Sequence, residues 1–196
     1  MWGYVYGLAQ YTATHTPNPT IPTKTVTHST DTPDETPPQI ACNEYTVSGT
    51  APRKIEIPAA GVSGCVQKVG IDQHKAIAVP DNIHLAGWYV NSVPPGEKGL
   101  SIIDGHVLGR YGDAIFANLK NLRQGDNIKI QLGDLSWREF IVKNTEVTSD
   151  TKAGEAQFTS LPDVASQLTL ITCQGKYDAK TNSYDKRLIV RAALVE

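Results

Sequence analysis

From residue 52 onward, apolar residues recur in short runs of period two, and most runs stop at Gly, Pro or Asp. That pattern admits few folds, because alternation puts every second side chain on one face of a strand. Lys54–Ile57 alternates polar and apolar before Pro58, and Gly61–Gly64 is a turn that leads into Cys65–Val69. Leu100–Asp104 is a short apolar run, and Asn127–Leu132 carries Ile128, Ile130 and Leu132 on one face. After the Gly133-Asp134 turn comes a longer strand, Trp137–Val147, and then two β-branched-rich strands, Leu168–Cys173 and Lys186–Val195. Helical signals are few. Asp113 is placed to cap one short helix with Ile115, Phe116 and Leu119 on its apolar side, closed by Gly125. Many short strands between Gly- and Pro-marked turns predict a mainly β domain, a barrel or a sandwich.

The chain before this domain is different. Residues 12–39 form a Thr/Pro-rich segment; from 12 to 38 there are 10 Thr and 6 Pro against three aliphatics, Ala13, Ile21 and Val26. Such a composition buries too little apolar area to offset its ordering entropy, so a disordered, extended linker is expected, with His15 and His28 solvated. Residues 1–11 read as an apolar stub or as the outer end of a membrane anchor. They are shorter than the ~18 apolar residues a span needs and lack the basic start of a signal peptide. The folded domain is expected over 40–196. Its chain is long enough for a sizeable core. A formal net charge of -2 argues against a nucleic-acid partner, which recruits a basic excess.

Reactive side chains stand at two strand ends. In Ile102-Ile103-Asp104-Gly105-His106 an apolar run stops and a His follows. In Leu170-Ile171-Thr172-Cys173 an apolar run leads directly into a Cys, followed by a polar connection from Gln174 to Asp185 and then Lys186-Arg187. If those two strands pair as an antiparallel hairpin, Cys173 and Arg187 share one sheet edge. A nearby cation lowers a thiol's pKa, a His shuttles its proton, and an Arg fork stabilises an oxyanion. Together the three support acyl transfer through a thioester. Singly, each has a plainer reading: a buried strand Cys, a surface His, a solvated Arg. Arg191 lies on the same strand face as Arg187 and is the rival cation.

These segments resemble the sortase family, cysteine transpeptidases of Gram-positive-type cell surfaces. Arg53–Pro58 with Gly61-Val62 resembles the family's opening strand, and Gly87-Trp88-Tyr89 with Pro94–Glu97 the approach to its His. Asp104-Gly105-His106 is similar to its Gly-His motif, and Phe116–Leu119 through Leu122–Asp126 to the short helix and turn that follow. Thr169-Leu170-Ile171-Thr172-Cys173 is similar to its Thr-Leu-x-Thr-Cys signature, and Asp185–Val190 to the strand of its Arg.

The resemblance implies an eight-stranded β-barrel with short helices. It implies Cys173 as nucleophile, His106 as general acid/base, Arg187 as stabiliser of substrate and oxyanion, and Thr172 as a residue shaping the substrate site. The implied reaction cleaves a Leu-Pro-x-Thr-Gly-like sorting signal between Thr and Gly. Surface proteins with such a C-terminal signal would be substrates, and an amine of a peptidoglycan precursor or a pilin the acceptor. The implied location is the extracytoplasmic face of the cell membrane. No cofactor or metal is required by the residues, although some class A members bind calcium. The Gly-Trp-Tyr region and compact length resemble classes E and F, and the Cys-to-Arg segment resembles class A as well. The Asp-Pro-aromatic lid motif of pilin-type sortases is missing from residues 1–50. Two alternatives stand beside this reading: a non-catalytic surface β-barrel binding module with an inert Cys173, or another cysteine acyl transferase of peptidoglycan.

Cys42 and Cys65 lie 23 positions apart. They form either a disulfide, permitted outside the cytoplasm, or two separate thiols. Trp88 and Trp137 are expected in the core or at its rim, and His74 and His84 outside the catalytic set. The length of the Thr/Pro tail and its attachment before the first strand would let it fold back over the cleft as a loose lid.

Overall fold

A computed structural model describes residues 25–30, 32–38, 41–42, 47–180 and 183–195. Eight strands close into a barrel: β1 (Pro52–Ile57), β2 (Val62–Val69), β3 (Ala86–Tyr89), β4 (Gly99–Gly105), β5 (Asn127–Leu132), β6 (Trp137–Ser149), β7 (Ser166–Asp178) and β8 (Ser183–Leu194). Their order around the barrel is β1-β2-β3-β4-β7-β8-β6-β5. Closure leaves no unpaired edge. The period-two pattern is visible in burial: along β5, Ile128, Ile130 and Leu132 are buried, and the residues between them are half-buried.

Two pairings are parallel, β2 with β3 and β4 with β7, and both require long crossovers. The first crossover carries residues 70–85 along the barrel's side. The second comprises β5, β6 and one helix, α1 (Asp150–Ala156). The barrel interior packs Ile55, Ile103, Phe116, Phe140, Leu168 and Leu170. A second cluster lies on the opposite face of the same strands and joins Val69, Tyr89, Ile102 and Ile171 to Val26.

Several expectations change here. The helix expected after Asp113 is a run of turns that ends in a 3-10 turn over Leu119–Asn121. Its amides are engaged elsewhere: Ile115 N–H donates to Ile83 O and Phe116 N–H to His106 O, so no i−4 ladder forms. Phe116 and Leu119 are nonetheless fully buried. The 12-residue polar connection after Cys173 is mostly strand, because β7 runs on to Asp178 and β8 starts at Ser183. A register shift between Gln174 and Tyr177 accommodates Gly175, whose φ of 90° favours glycine. Beyond that bulge the Tyr177 and Tyr184 rings meet, 5.4 Å between centroids.

Cys42 and Cys65 are disulfide-bonded. Closing that loop stabilises the fold by about 3 kcal/mol in the chain-entropy picture. Arg53, itself buried, donates from Nε and Nη2 to Cys42 O at 3.0 and 2.6 Å. Part of the Thr/Pro segment also packs on the barrel. Val26 is buried and bridges in parallel to Val69, and Asp34 bridges to Asn82. The composition argument misses this because backbone hydrogen bonds to an existing barrel need few apolar side chains. His28 is exposed, as expected, while residues 1–24, with His15, lie outside the described residues.

Candidate active site

β7 and β8 bring the first pair of candidate residues together. Their antiparallel register sets Cys173 opposite Arg187, with Ile171 opposite Ile189. Cys173 shares the face of Ile171, outside the barrel core, and is half-buried. The parallel register of β4 on β7 sets Asp104 beside Ile171. β4 ends at Gly105, whose carbonyl accepts from the Thr172 hydroxyl, so the chain enters His106 beside the residue that precedes Cys173. The sequence reading of both strand ends therefore converges on one end of the barrel. Cys173 and Tyr184, with Val107, Leu108 and Asp113 from the turn after β4, line an open cavity of about 220 Å³.

Each of the three groups has a defined environment. Burial raises the Cys173 thiol above its ordinary 9.0; the Arg187 charge works against that shift, and the Asp104 and Asp150 carboxylates add to it. Burial also lowers His106 from 6.5, partly opposed by a hydrogen bond to Pro80. At 2.8 Å the Pro80 carbonyl can only accept, so Nε2 carries the proton and Nδ1 is left as the basic nitrogen. A neutral thiol and a neutral imidazole are thus the resting pair.

Arg187 is half-buried and held by its own hairpin. Nη1 donates to Tyr184 O at 2.8 Å and Lys186 O at 2.9 Å, and Nη2 to Ser183 Oγ at 3.2 Å. Nη2 also pairs with Asp150 Oδ1 of α1 at 2.7 Å. The rival cation, Arg191, is engaged elsewhere. It is fully buried, pairs with Glu146 at 2.8 Å and donates to Ala156 O at 2.7 Å, fastening the end of α1 to the barrel. Thr172 faces inward, and its hydroxyl donates to Gly105 O at 2.7 Å. That bond ties β7 to the strand end that precedes His106.

Three residues near this end escaped the sequence reading as individuals. Asp104, seen only as part of a motif, is buried, and Oδ1 has no hydrogen-bond partner. Asp150, the Arg187 partner, lies in a helix beyond the expected Trp137–Val147 strand, where Gly154 and the β-branched Thr151 weaken any helical signal. Pro80, the His106 partner, acts through its backbone, which side-chain identity does not reveal. His84, read as structural, bonds through Nε2 to Glu35 O at 3.0 Å. Trp88 is buried and Trp137 is on the rim. Among the described residues, no group of three His, Cys, Asp or Glu is placed to hold a metal, and no helix is long and apolar enough to cross a membrane.

The fold is a closed eight-stranded barrel that carries Cys173 on β7, Arg187 on β8 and His106 just after β4. The sortase domain family matches residues 55–195, and the chain belongs to that family, whose members are transpeptidases. Solved structures agree in fold. Sortase A from Corynebacterium diphtheriae, a lid mutant, is 25% identical with a TM-score of 0.56, over 74% of this chain and 70% of that one. Sortase A from Listeria monocytogenes is 22% identical with a TM-score of 0.54, over 75% and 88%. A Clostridium perfringens sortase D5 transpeptidase is 23% identical with a TM-score of 0.54, over 78% and 84%. A search of the curated proteins returns no match.

Proposed function

We propose that this chain is a cysteine transpeptidase that cleaves a Leu-Pro-x-Thr-Gly-like signal between Thr and Gly and passes the acyl part to an amine. The observation that supports the reading is the antiparallel register that pairs Cys173 with Arg187, with β7 itself next to the strand that ends just before His106. The Cys173 thiolate attacks the Thr carbonyl, and Arg187 stabilises the oxyanion that develops. His106, holding the thiol proton, gives it to the departing Gly amine as the C–N bond breaks, leaving a thioester. An acceptor amine of the cell wall or a pilin then attacks that thioester. His106 takes the amine's proton, a new amide forms, and the thiolate leaves. The Cys42–Cys65 disulfide fits an oxidising compartment, and we place the enzyme on the extracytoplasmic face of the membrane.

Intact-mass spectrometry after mixing the protein with a Leu-Pro-x-Thr-Gly peptide library, without acceptor, tests the reading. The expected result is a mass gain equal to the peptide's acyl part, absent in Cys173→Ala. A transferred product formed by Cys173→Ala at the wild-type rate would overturn it. No adduct, with a thiol slow toward iodoacetamide, would favour an inert binding barrel.

A further inference from the structure

The turn that forms one wall of the cavity is held from outside the barrel. Residues 108–113 close on themselves through a Leu108–Asp113 bridge and a Gly109 N–H to Gly112 O bond of 2.8 Å. The turn holds two apolar side chains in solvent, Leu108 at 51% and Tyr111 at 85% exposure. Its next two amides point to Glu35 of the N-terminal segment. Arg110 N–H donates to Oε1 at 2.6 Å and Tyr111 N–H to Oε2 at 3.0 Å. Glycine at 109 permits this approach, since a Cβ there would stand 3.0 Å from the Glu35 carboxyl carbon.

Glu35 is itself fixed. Its neighbour Asp34 donates its N–H to Asp81 O at 2.7 Å and accepts from Ile83 N–H at 2.9 Å. Thr36 O accepts from Asn82 Nδ2 at 2.9 Å. Upstream, Val26 N–H donates to Lys68 O and Val26 O accepts from Gly70 N–H. Downstream, the Cys42–Cys65 disulfide ties the chain to β2. The carboxylate is therefore a fixed anchor. Two charge-assisted bonds from successive amides set both position and orientation of the turn.

We infer that Glu35 is a positioning residue for substrate: it holds the 108–111 turn so that Leu108 presents a preformed apolar surface to the peptide entering beside Cys173. The inference rests on the sortase reading for its substrate, a peptide, but the anchor is a property of the fold. Exposed turns are mobile unless tied, and ordering one at each binding event weakens affinity. Losing the anchor should raise KM and leave the bond-making groups as they are.

The test uses the full chain, Glu35→Ala and Glu35→Gln, with three readouts. Amide exchange at Arg110 and Tyr111 is expected to accelerate at least about tenfold in Glu35→Ala, as befits loss of bonds to a charged acceptor. With a peptide that acylates the wild type, KM is expected to rise about tenfold in Glu35→Ala and less in Glu35→Gln, which retains one acceptor, while kcat stays within about twofold. Alkylation of Cys173 by iodoacetamide should not change. Unaltered exchange, or accelerated exchange with unchanged KM, would overturn the inference. So would a loss confined to kcat. If no peptide acylates the wild type, the sortase reading fails, and the exchange rates still decide whether Glu35 holds the turn.

Discussion

Asp104 carries its carboxyl on the face of Ile102, against the β3 backbone. A Cβ at Gly87 would press on that carboxylate, so only glycine fits beside it. Burial pushes the Asp104 carboxyl well above its ordinary 3.8, more strongly than its own backbone amide lowers it. A carboxyl raised on folding leaves the folded state holding more protons than the unfolded state at pH values above 3.8. Stability is then greatest below that value and falls as pH rises through the folded-state pKa. An amide of the same shape has no such slope. Asp104→Asn is therefore expected to match the wild type near pH 4 and to exceed it at pH 8, with the gap widening as pH rises between them. Thermal unfolding of both proteins across that range checks it. A constant difference at all pH values would mean that the carboxyl is not what titrates.

At the scale of elements, two arginines four residues apart on β8 do different work. Arg191 joins β8 to Glu146 on β6 and to the end of α1, so Arg191→Ala should cost about 3 kcal/mol, near the low end for a buried pair because Glu146 keeps its water. Arg187 pairs with a half-exposed Asp150, an interaction worth at most about 1 kcal/mol. Arg187→Ala should leave the melting temperature nearly in place and lower kcat by about 10²–10³, as for loss of an oxyanion donor. Denaturation and steady-state kinetics on both variants separate these outcomes; the reverse pattern would make Arg191 the catalytic cation. Period two gives both residues the same face, and only the motif around Lys186-Arg187 favours Arg187 in the sequence. The strands themselves were legible wherever alternation was clean, as in β5, and the Cys173–Arg187 pairing followed from a hairpin rule. The turn after Asp113 was misread because its amides satisfy themselves on Ile83 and His106, partners distant in sequence. Likewise β3, only four residues and buried throughout, offers no alternation to read.

For the molecule as a whole, closing the barrel makes neighbours of β4, β7 and β8, which are far apart in the chain: 81 positions separate His106, just after β4, from Arg187 on β8. The same closure that orders the site partly removes it from water, and its effect on the two titrating groups runs in opposite directions. His106 falls below 6.5 and Cys173 rises above 9.0. Between those limits the dominant form is thiol with neutral imidazole. The thiolate–imidazolium pair has the same number of protons, so it is a constant minor fraction of that form across the whole interval. Acidification protonates His106 and removes the form from one side; alkali ionises Cys173 with His106 neutral and removes it from the other. Rates of acyl-enzyme formation should accordingly be flat from pH 7 to 8.5, decline only below about 6.5 and fall again only above about 9, giving a bell broader than unshifted groups would produce. Stopped samples analysed by intact mass at each pH measure this without an acceptor. A rate that climbs steadily with pH from 6 to 9 would show instead that the thiolate reacts without help from a protonated His106.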